Sequence, residues 1–328
     1  RGLRGSLEAE SLVTGVLYHI EMNYAASRQT LETQMRSNGV ATAPLSPAAI
    51  PAKVKVRYGF IALPADERLL PTNFPLYAKP GDIDFDELQN SGLDVGAAVM
   101  VLHSTQDGKW FYVKDEAAKG WVESSKVALA GPEEARGHLR RRDIVVVLEP
   151  KTDVFLDREM TNYLATVKMG TSFVMKNVSG RVAEVLIPQR KEDGAGGPFR
   201  SGFIAREDVN IGYLPYTPRS IIRQAFKMLN APYGWGDMYG EQDCSRFVRM
   251  VFATVGLKMP RNSAEQGKVG RALAGSTETA PLAEKRRSES CSRIRISSGS
   301  ASSSGSPASV RPDWRSGSVS RLLAVSSA

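Results

Sequence analysis

The sequence predicts an α+β chain, in which a helical N-terminal segment precedes two small β-barrels and a helical C-terminal unit. Three observations carry this reading. Residues 53–130 and 140–213 consist of short Val/Ile/Phe/Tyr runs broken by Gly, Asp-Gly and Pro, the punctuation of all-β modules. From Thr217 the apolar spacing changes to the helical period. From about Ser288 the composition turns to Ser, Arg, Gly and Ala and no longer supports a packed core.

In chain order, residues 1 to about 36 read as an amphipathic helix, with Leu12, Val16, Ile20, Tyr24, Leu31 and Met35 on one stripe. Ala41 to Pro51 is rich in Ala and Pro and reads as a linker, so 1–52 forms one unit. The two β-rich stretches repeat each other weakly. Gly120-Trp121-Val122 is followed by Val127, and Gly202-Phe203-Ile204 by Val209, with the same offset from glycine to valine. Upstream of each lie a turn and a strand, Asp107-Gly108 before Lys109–Val113 and Ser179-Gly180 before Arg181–Val185. Short strands with aromatics near the turns suit small barrels; two unrelated hairpins with coincident glycines are the alternative. In these features the stretches resemble bacterial SH3-like modules in tandem.

Composition excludes several classes of function. At 42% hydrophobic and 24% charged, the 328 residues are those of an ordinary globular protein. No apolar run is long enough to span a bilayer. Two cysteines and three scattered histidines (His19, His103, His138) argue against a disulfide framework and against a Cys- or His-rich metal site. Of the net charge of +8, five charges lie from residue 284 onward, so there is no basic stripe of the kind nucleic acid requires.

Thr217-Pro218 opens a helix with a capping hydroxyl and a proline at the first helical position. Its predicted apolar face is Ile221, Ile222, Ala225, Phe226 and Leu229, and it ends at Asn230. After the loop Ala231–Gly236, Phe247, Val248, Val251, Phe252 and Val255 mark a second buried helix, stopped by Gly256. A third is expected from Asn262 to Leu273. Cys244 falls at the start of the second helix, with Asp243 a candidate cap. Unpaired N–H groups and the helix dipole favour a thiolate there, and the thiolate is the attacking species. A small buried hydrophobe is the bland reading of a lone cysteine.

Pro232-Tyr233-Gly234-Trp235-Gly236, then Asp243-Cys244-Ser245, then Leu257–Ser263 with Gln266, together resemble the NlpC/p60 cell-wall cysteine peptidases. The order of modules resembles multi-domain members that cut peptidoglycan stem peptides after γ-D-glutamate. The resemblance implies a papain-like α+β domain, here truncated to 217–287, with 288–328 as a disordered or frameshifted tail. It implies Cys244 as nucleophile and Tyr233 as a hydroxyl facing the same site. Asp243 and Ser245 would hold the amino end and the D-glutamate of the stem peptide, with Ser263 a further contact and Tyr112 a contribution from the first barrel. Asp243 as a cap, Tyr233 as core and Ser263 as a helix cap are the structural alternatives. Stem peptides or muropeptides are the implied partners, no metal or organic cofactor is implied, and the implied place is the cell envelope, periplasmic or secreted.

The sequence departs from the family in one decisive respect. The family's general base is a histidine downstream of the cysteine, and no histidine follows Cys244. Without an imidazole to hold the thiolate and protonate the leaving amine, this chain is expected to be inactive. A non-catalytic cell-wall protein working through its SH3-like modules is one competing reading. A pseudoenzyme that holds stem peptides without cutting them is another. With the following sheet missing, the two helices are expected to leave apolar surface uncovered.

Overall fold

The computed structural model describes residues 55–77, 83–105, 107–190 and 197–270. The predicted N-terminal helix and linker, and the serine-rich tail, lie outside these residues.

Two seven-stranded antiparallel sheets follow one another, and they share one topology. The first holds β1 (Arg57–Ile61), β2 (Ala65–Arg68), β3 (Gln89–Leu93), β4 (Ala98–Ser104), β5 (Trp110–Lys114), β6 (Lys119–Glu123) and β7 (Val127–Ala130). The second holds β8 (Ile144–Val147), β9 (Lys151–Phe155), β10 (Tyr163–Lys168), β11 (Ser172–Ser179), β12 (Val182–Pro188), β13 (Phe199–Ala205) and β14 (Val209–Ile211). Their strand orders are β3-β2-β6-β5-β4-β1-β7 and β10-β9-β13-β12-β11-β8-β14, the same path drawn twice. The sequence repeat falls on equivalent places. Both glycine triplets lie in the sixth strand, and in each barrel a 3-10 turn, Ser124–Lys126 or Arg206–Asp208, leads to the valine that opens the seventh.

The repeated glycines have a packing reason. The sixth strand crosses the second where Arg68 pairs with Trp121 and Phe203 with Phe155. A Cβ on Gly120 would stand 2.8 Å from the Arg68 carbonyl oxygen, and one on Gly202 would stand 2.7 Å from Ile187 Cγ2. The turn glycines Gly108 and Gly180 take left-handed φ of 71° and 62°, joining the fourth and fifth strands of each barrel.

Strand alternation sorts side chains between two cores in the first barrel. Ile61, Val99, Val101, Val113 and Val122 fill the interior. Phe60, Met100, Leu102, Trp110, Tyr112 and Trp121 form an outer aromatic layer, which Ala135 of α1 (Pro132–Arg140) and Phe199 of the second barrel cover. The stretch between the barrels is helical. Pro132 is its first residue, and Glu134 accepts a hydrogen bond from the Gly131 N–H at 2.8 Å.

His138 of α1 stacks on Phe199 at 3.9 Å and meets Phe60 edge-on at 5.1 Å, so one imidazole joins both barrels. Burial, then the nearby Arg141, lowers its pKa to about 4. Because the folded pKa lies below the ordinary value, the barrel contact is most stable above about pH 6.5 and weakens as pH falls toward 4. The loss is on the order of 2 kcal/mol after discounting for partial exposure. Thermal midpoints across this window should fall for the parent and stay nearly level for His138→Phe.

The C-terminal unit contains α2 (Pro218–Lys227), α3 (Cys244–Ala253) and the single turn α4 (Ser263–Gln266). The Thr217 hydroxyl accepts from the Ser220 N–H at 3.2 Å, as its sequence promised. Gly256, at φ 78°, lets the Leu257 N–H turn back to the Phe252 carbonyl and close α3. Two expectations change. α2 stops at Lys227, with Asn230 beyond it at φ 65°. The third helix is the single turn Ser263–Gln266 rather than a helix reaching Leu273, and residues 271–273 lie outside the described part.

α2 and α3 pack on each other around Met169 of the second barrel, with Ile221, Met228, Met250, Val251 and Val255. Three of the five residues of the predicted apolar face stay in solvent: Ile222 is 43% exposed, and Phe226 and Leu229 are each 68% exposed. No helix among the described residues is long and apolar enough to cross a membrane.

Candidate functional site

Cys244 is the first residue of α3, its side chain is exposed, and it forms no disulfide. Asp243 is the N-cap, with Oδ1 accepting from the Arg246 N–H at 2.7 Å. The helix start thus directs backbone N–H groups toward the thiol position, and such groups stabilise both a thiolate and a developing oxyanion.

Asp243 and Ser245 flank the cysteine, but they face each other and Arg261. The Ser245 hydroxyl donates to Asp243 Oδ1 at 2.8 Å and accepts from Arg261 Nη1 at 2.7 Å. Arg261 Nη2 donates to Asp243 Oδ2 at 2.7 Å. Burial pushes the Asp243 carboxyl up, but Arg261 and these hydrogen bonds outweigh burial and hold it below its ordinary value. Both carboxylate oxygens are engaged within the protein. Tyr233 is 56% exposed and bridges to Gln242 at the base of the intervening loop. Ser263 is half-buried at the first position of α4, while Asn262 takes the cap position. Tyr112 is 4% exposed within the aromatic core of the first barrel, edge-on to Trp121, and so does not line an open face.

The residues that sequence reasoning missed are those that hold this end of α3 in place. β3 is an edge strand of the first barrel, and its outward backbone groups bond to side chains of the C-terminal unit. The Gly92 N–H donates to Asp237 Oδ2 at 2.9 Å, Arg246 Nη1 donates to the Gly92 carbonyl at 3.3 Å, and Arg261 Nη2 donates to the Asn90 carbonyl at 3.1 Å. Arg261 Nε also donates to Ser91 Oγ at 2.9 Å. Asp237 sits in the loop before the cysteine at φ 71°, between left-handed Gly236 and Tyr239. A bulkier residue in place of Gly92 would strike Asp237, whose Cβ lies 2.8 Å from the ideal Cβ position.

The second barrel grips the same loop from its far end. Lys168 Nζ donates to the Glu241 carbonyl at 2.8 Å, and Lys151 pairs with the Glu241 carboxylate at 2.6 Å. Burial lowers the Lys168 pKa, partly opposed by Asp94 and Asp237. The segment that presents Cys244 is thus fastened to both barrels. The signal for Arg261 lay inside the Pro260–Ser263 motif, but its partners Asn90 and Ser91 are some 170 positions away.

The two histidines among the described residues are engaged elsewhere. His138 is sandwiched as described, and His103 of β4 packs edge-on to Trp121 at 6.1 Å, its pKa lowered by burial. Among the described residues no group of three His, Cys, Asp or Glu side chains is placed to hold a metal ion.

Residues 75–123 match the family model for the SH3 domain (SH3b1 type), and residues 230–291 match that of the NlpC/P60 family. Among solved structures the chain is similar to an NlpC/P60 endopeptidase from Photobacterium damselae subsp. piscicida, with 24% identity and a TM-score of 0.59 over 79% of this chain. It spans 56% of the length of that protein. It is also similar to an NlpC/P60 family protein from Bacillus cereus ATCC 10987, with 16% identity and a TM-score of 0.52, covering 66% of this chain and 78% of that one. At these identities the likeness is one of fold. No curated protein is significantly similar in sequence.

Proposed function

We propose that this chain, which carries an SH3b-type domain and an NlpC/P60 domain, is a cell-envelope protein that recognises peptidoglycan stem peptides at Cys244. The observation that carries the proposal is the exposed Cys244 at the capped start of α3, on a segment fastened to both barrels. In the reaction this site is built for, the thiolate attacks the amide carbon after γ-D-glutamate, and the oxyanion that forms is met by backbone N–H groups at the helix start. Collapse expels the amine of the diamino acid, which takes up a proton, and water then cleaves the thioester. Tyr233 borders the site. Asp243 and Ser245, engaged with Arg261, act here by holding the cysteine end of α3 rather than by meeting substrate charge directly.

Proton transfer is the weak step. No histidine follows Cys244, and His103 and His138 are packed in aromatic layers. The 328-residue chain therefore binds stem peptide and turns it over very slowly or not at all. That same observation favours the second reading, a binding protein that works through its barrels.

The test uses the full chain with the tripeptide L-Ala-γ-D-Glu-diaminopimelate, following binding by calorimetry and cleavage by mass spectrometry. Saturable binding that is lost when Cys244 is alkylated, with cleavage absent until imidazole is added, is the expected result. Binding unchanged by alkylation moves the function to the barrels, and no binding at all removes the stem peptide as ligand.

A further inference from the structure

The two barrels follow one path, so each serves as a control for the other. The pair Arg68–Trp121 in the first corresponds to Phe155–Phe203 in the second. One residue earlier on the second strand of each barrel stand Glu67 and Val154, both 0% exposed. The strand opposite carries a β-bulge at the same place: the register skips Asn90 between Gln89 and Ser91, and Leu164 between Tyr163 and Ala165. Val154 lies in the apolar core of the second barrel, with Leu164 packed against that core. Where one barrel places a hydrocarbon pair, the other holds an acid and an amide.

Packing alone does not call for that exchange. Asn90 Nδ2 donates to Glu67 Oε2 at 2.9 Å, and Glu67 Oε1 is buried without a partner. Gly120 makes the room, since a Cβ there would stand 2.6 Å from Glu67 Cγ. The charged groups that face Glu67 are Asp115 beyond β5, Arg249 of α3 and Arg261 before α4. Arg261 is committed to Asp243, and Arg249 is drawn to Asp115. A Glu67 carboxylate would keep one amide N–H as its direct partner, far less than a buried charge needs. Burial, then Asp115, raises its pKa well above the ordinary 4.5, and Asn90, Arg261 and Arg249 oppose this only in part.

We propose that Glu67 is a positioning residue that carries a proton in the folded protein, and that release of this proton loosens the end of α3 where Cys244 stands. The route is short. The Asn90 side chain holds Glu67, its backbone carbonyl accepts from Arg261, and Arg261 holds the Asp243 cap. Protonated, Glu67 accepts the Asn90 N–H on Oε2 and keeps the proton on Oε1. Deprotonated, it draws Arg261 away from Asp243 or draws water in between β2 and β3, and either change weakens the cap. The first barrel thereby makes its grip on the cysteine segment depend on pH. This dependence holds whatever Cys244 acts on.

Urea unfolding of the full chain and of Glu67→Gln, compared from pH 5 to 7, tests the proposal. Glutamine keeps an acceptor for Asn90 and has no proton to lose. The folded state holds a proton that the unfolded state gives up above 4.5, so stability falls as pH rises. Relative to the variant, the parent's folding constant should drop by up to about tenfold per pH unit, and His138, present in both, cancels. A difference infrared spectrum at pH 6 should show a protonated carboxyl C=O band in the parent that Glu67→Gln lacks. Iodoacetamide labelling of Cys244, read by peptide mass spectrometry, should lie at higher pH in the parent than in the variant, a displacement that packing alone would not give. If Glu67→Gln does not fold, Glu67→Val with Asn90→Leu, the pair of the second barrel, takes its place with the same expectations. A stability ratio constant across pH, a carboxylate band in place of the carboxyl band, or coincident labelling profiles each overturns the proposal.

Discussion

Replacing Arg261 with methionine is expected to destabilise the chain by about 3–5 kcal/mol, the usual cost of removing one partner of a buried ion pair. Arg261 is 4% exposed and spends its guanidinium on Asp243, Ser245, Ser91 and the Asn90 carbonyl. Methionine fills most of the volume but leaves the Asp243 carboxylate buried with one hydroxyl and one backbone N–H. The dominant loss is that uncompensated charge, so Arg261→Met combined with Asp243→Asn should recover roughly half of the stability. Urea unfolding followed by tryptophan fluorescence measures both variants. A single variant within about 1 kcal/mol of the parent would mean that the pair contributes no more than a surface contact. Iodoacetamide labelling across pH gives a second reading: loosening the Asp243 cap should shift the alkylation profile of Cys244 toward higher pH, since the helix start no longer holds the thiolate as well.

The second large effect is expected at Gly236, and a matched control isolates its cause. Gly236 and Gly180 both adopt left-handed φ, 57° and 62°. Alanine at Gly180 meets nothing within 4 Å and carries backbone strain alone, about 1 kcal/mol. Alanine at Gly236 would place its Cβ 2.9 Å from the Gln89 carbonyl oxygen and 2.7 Å from Gln89 Cγ, against a strand that cannot retreat. Gln89 itself donates to the Gly236 carbonyl at 3.0 Å, so the clash also breaks a bond. Gly236→Ala should therefore cost about 3 kcal/mol, strain plus overpacking plus a lost hydrogen bond. Equal losses at the two positions would show that the loop yields freely and that β3 does not fix it.

Much of this fold is written in local pattern. The glycine triplets, the Asp107-Gly108 and Ser179-Gly180 turns, the Thr217 cap and the Gly256 stop act on neighbours within a few residues, and a linear reading reaches that far. Gly131-Pro132-Glu133-Glu134 carried an equally local signal for α1, a short helix between two β-rich stretches. The exposed Ile222, Phe226 and Leu229 show another limit: periodicity tells which face is apolar, not what covers it. At the site, Cys244 and its cap were legible for the same local reason. The anchoring of Asp237 to Gly92, and of Arg261 to Asn90 and Ser91, was not, because no periodicity links residues some 145 to 170 positions apart.

The bonding of the outer edge of β3 to side chains rather than to a second strand has a consequence for how the modules can be recombined. A barrel excised after residue 130 would leave Asn90 and Gly92 with bare backbone groups along an open edge, and such an edge recruits strands from other molecules. The first barrel is therefore not a portable part. Fused to another enzyme or expressed alone, it should self-associate, whereas in the intact chain Asp237, Arg246 and Arg261 keep that edge closed. Guarding against polymerisation and presenting the cysteine fall to the same few side chains, so shuffling at this boundary would lose both together.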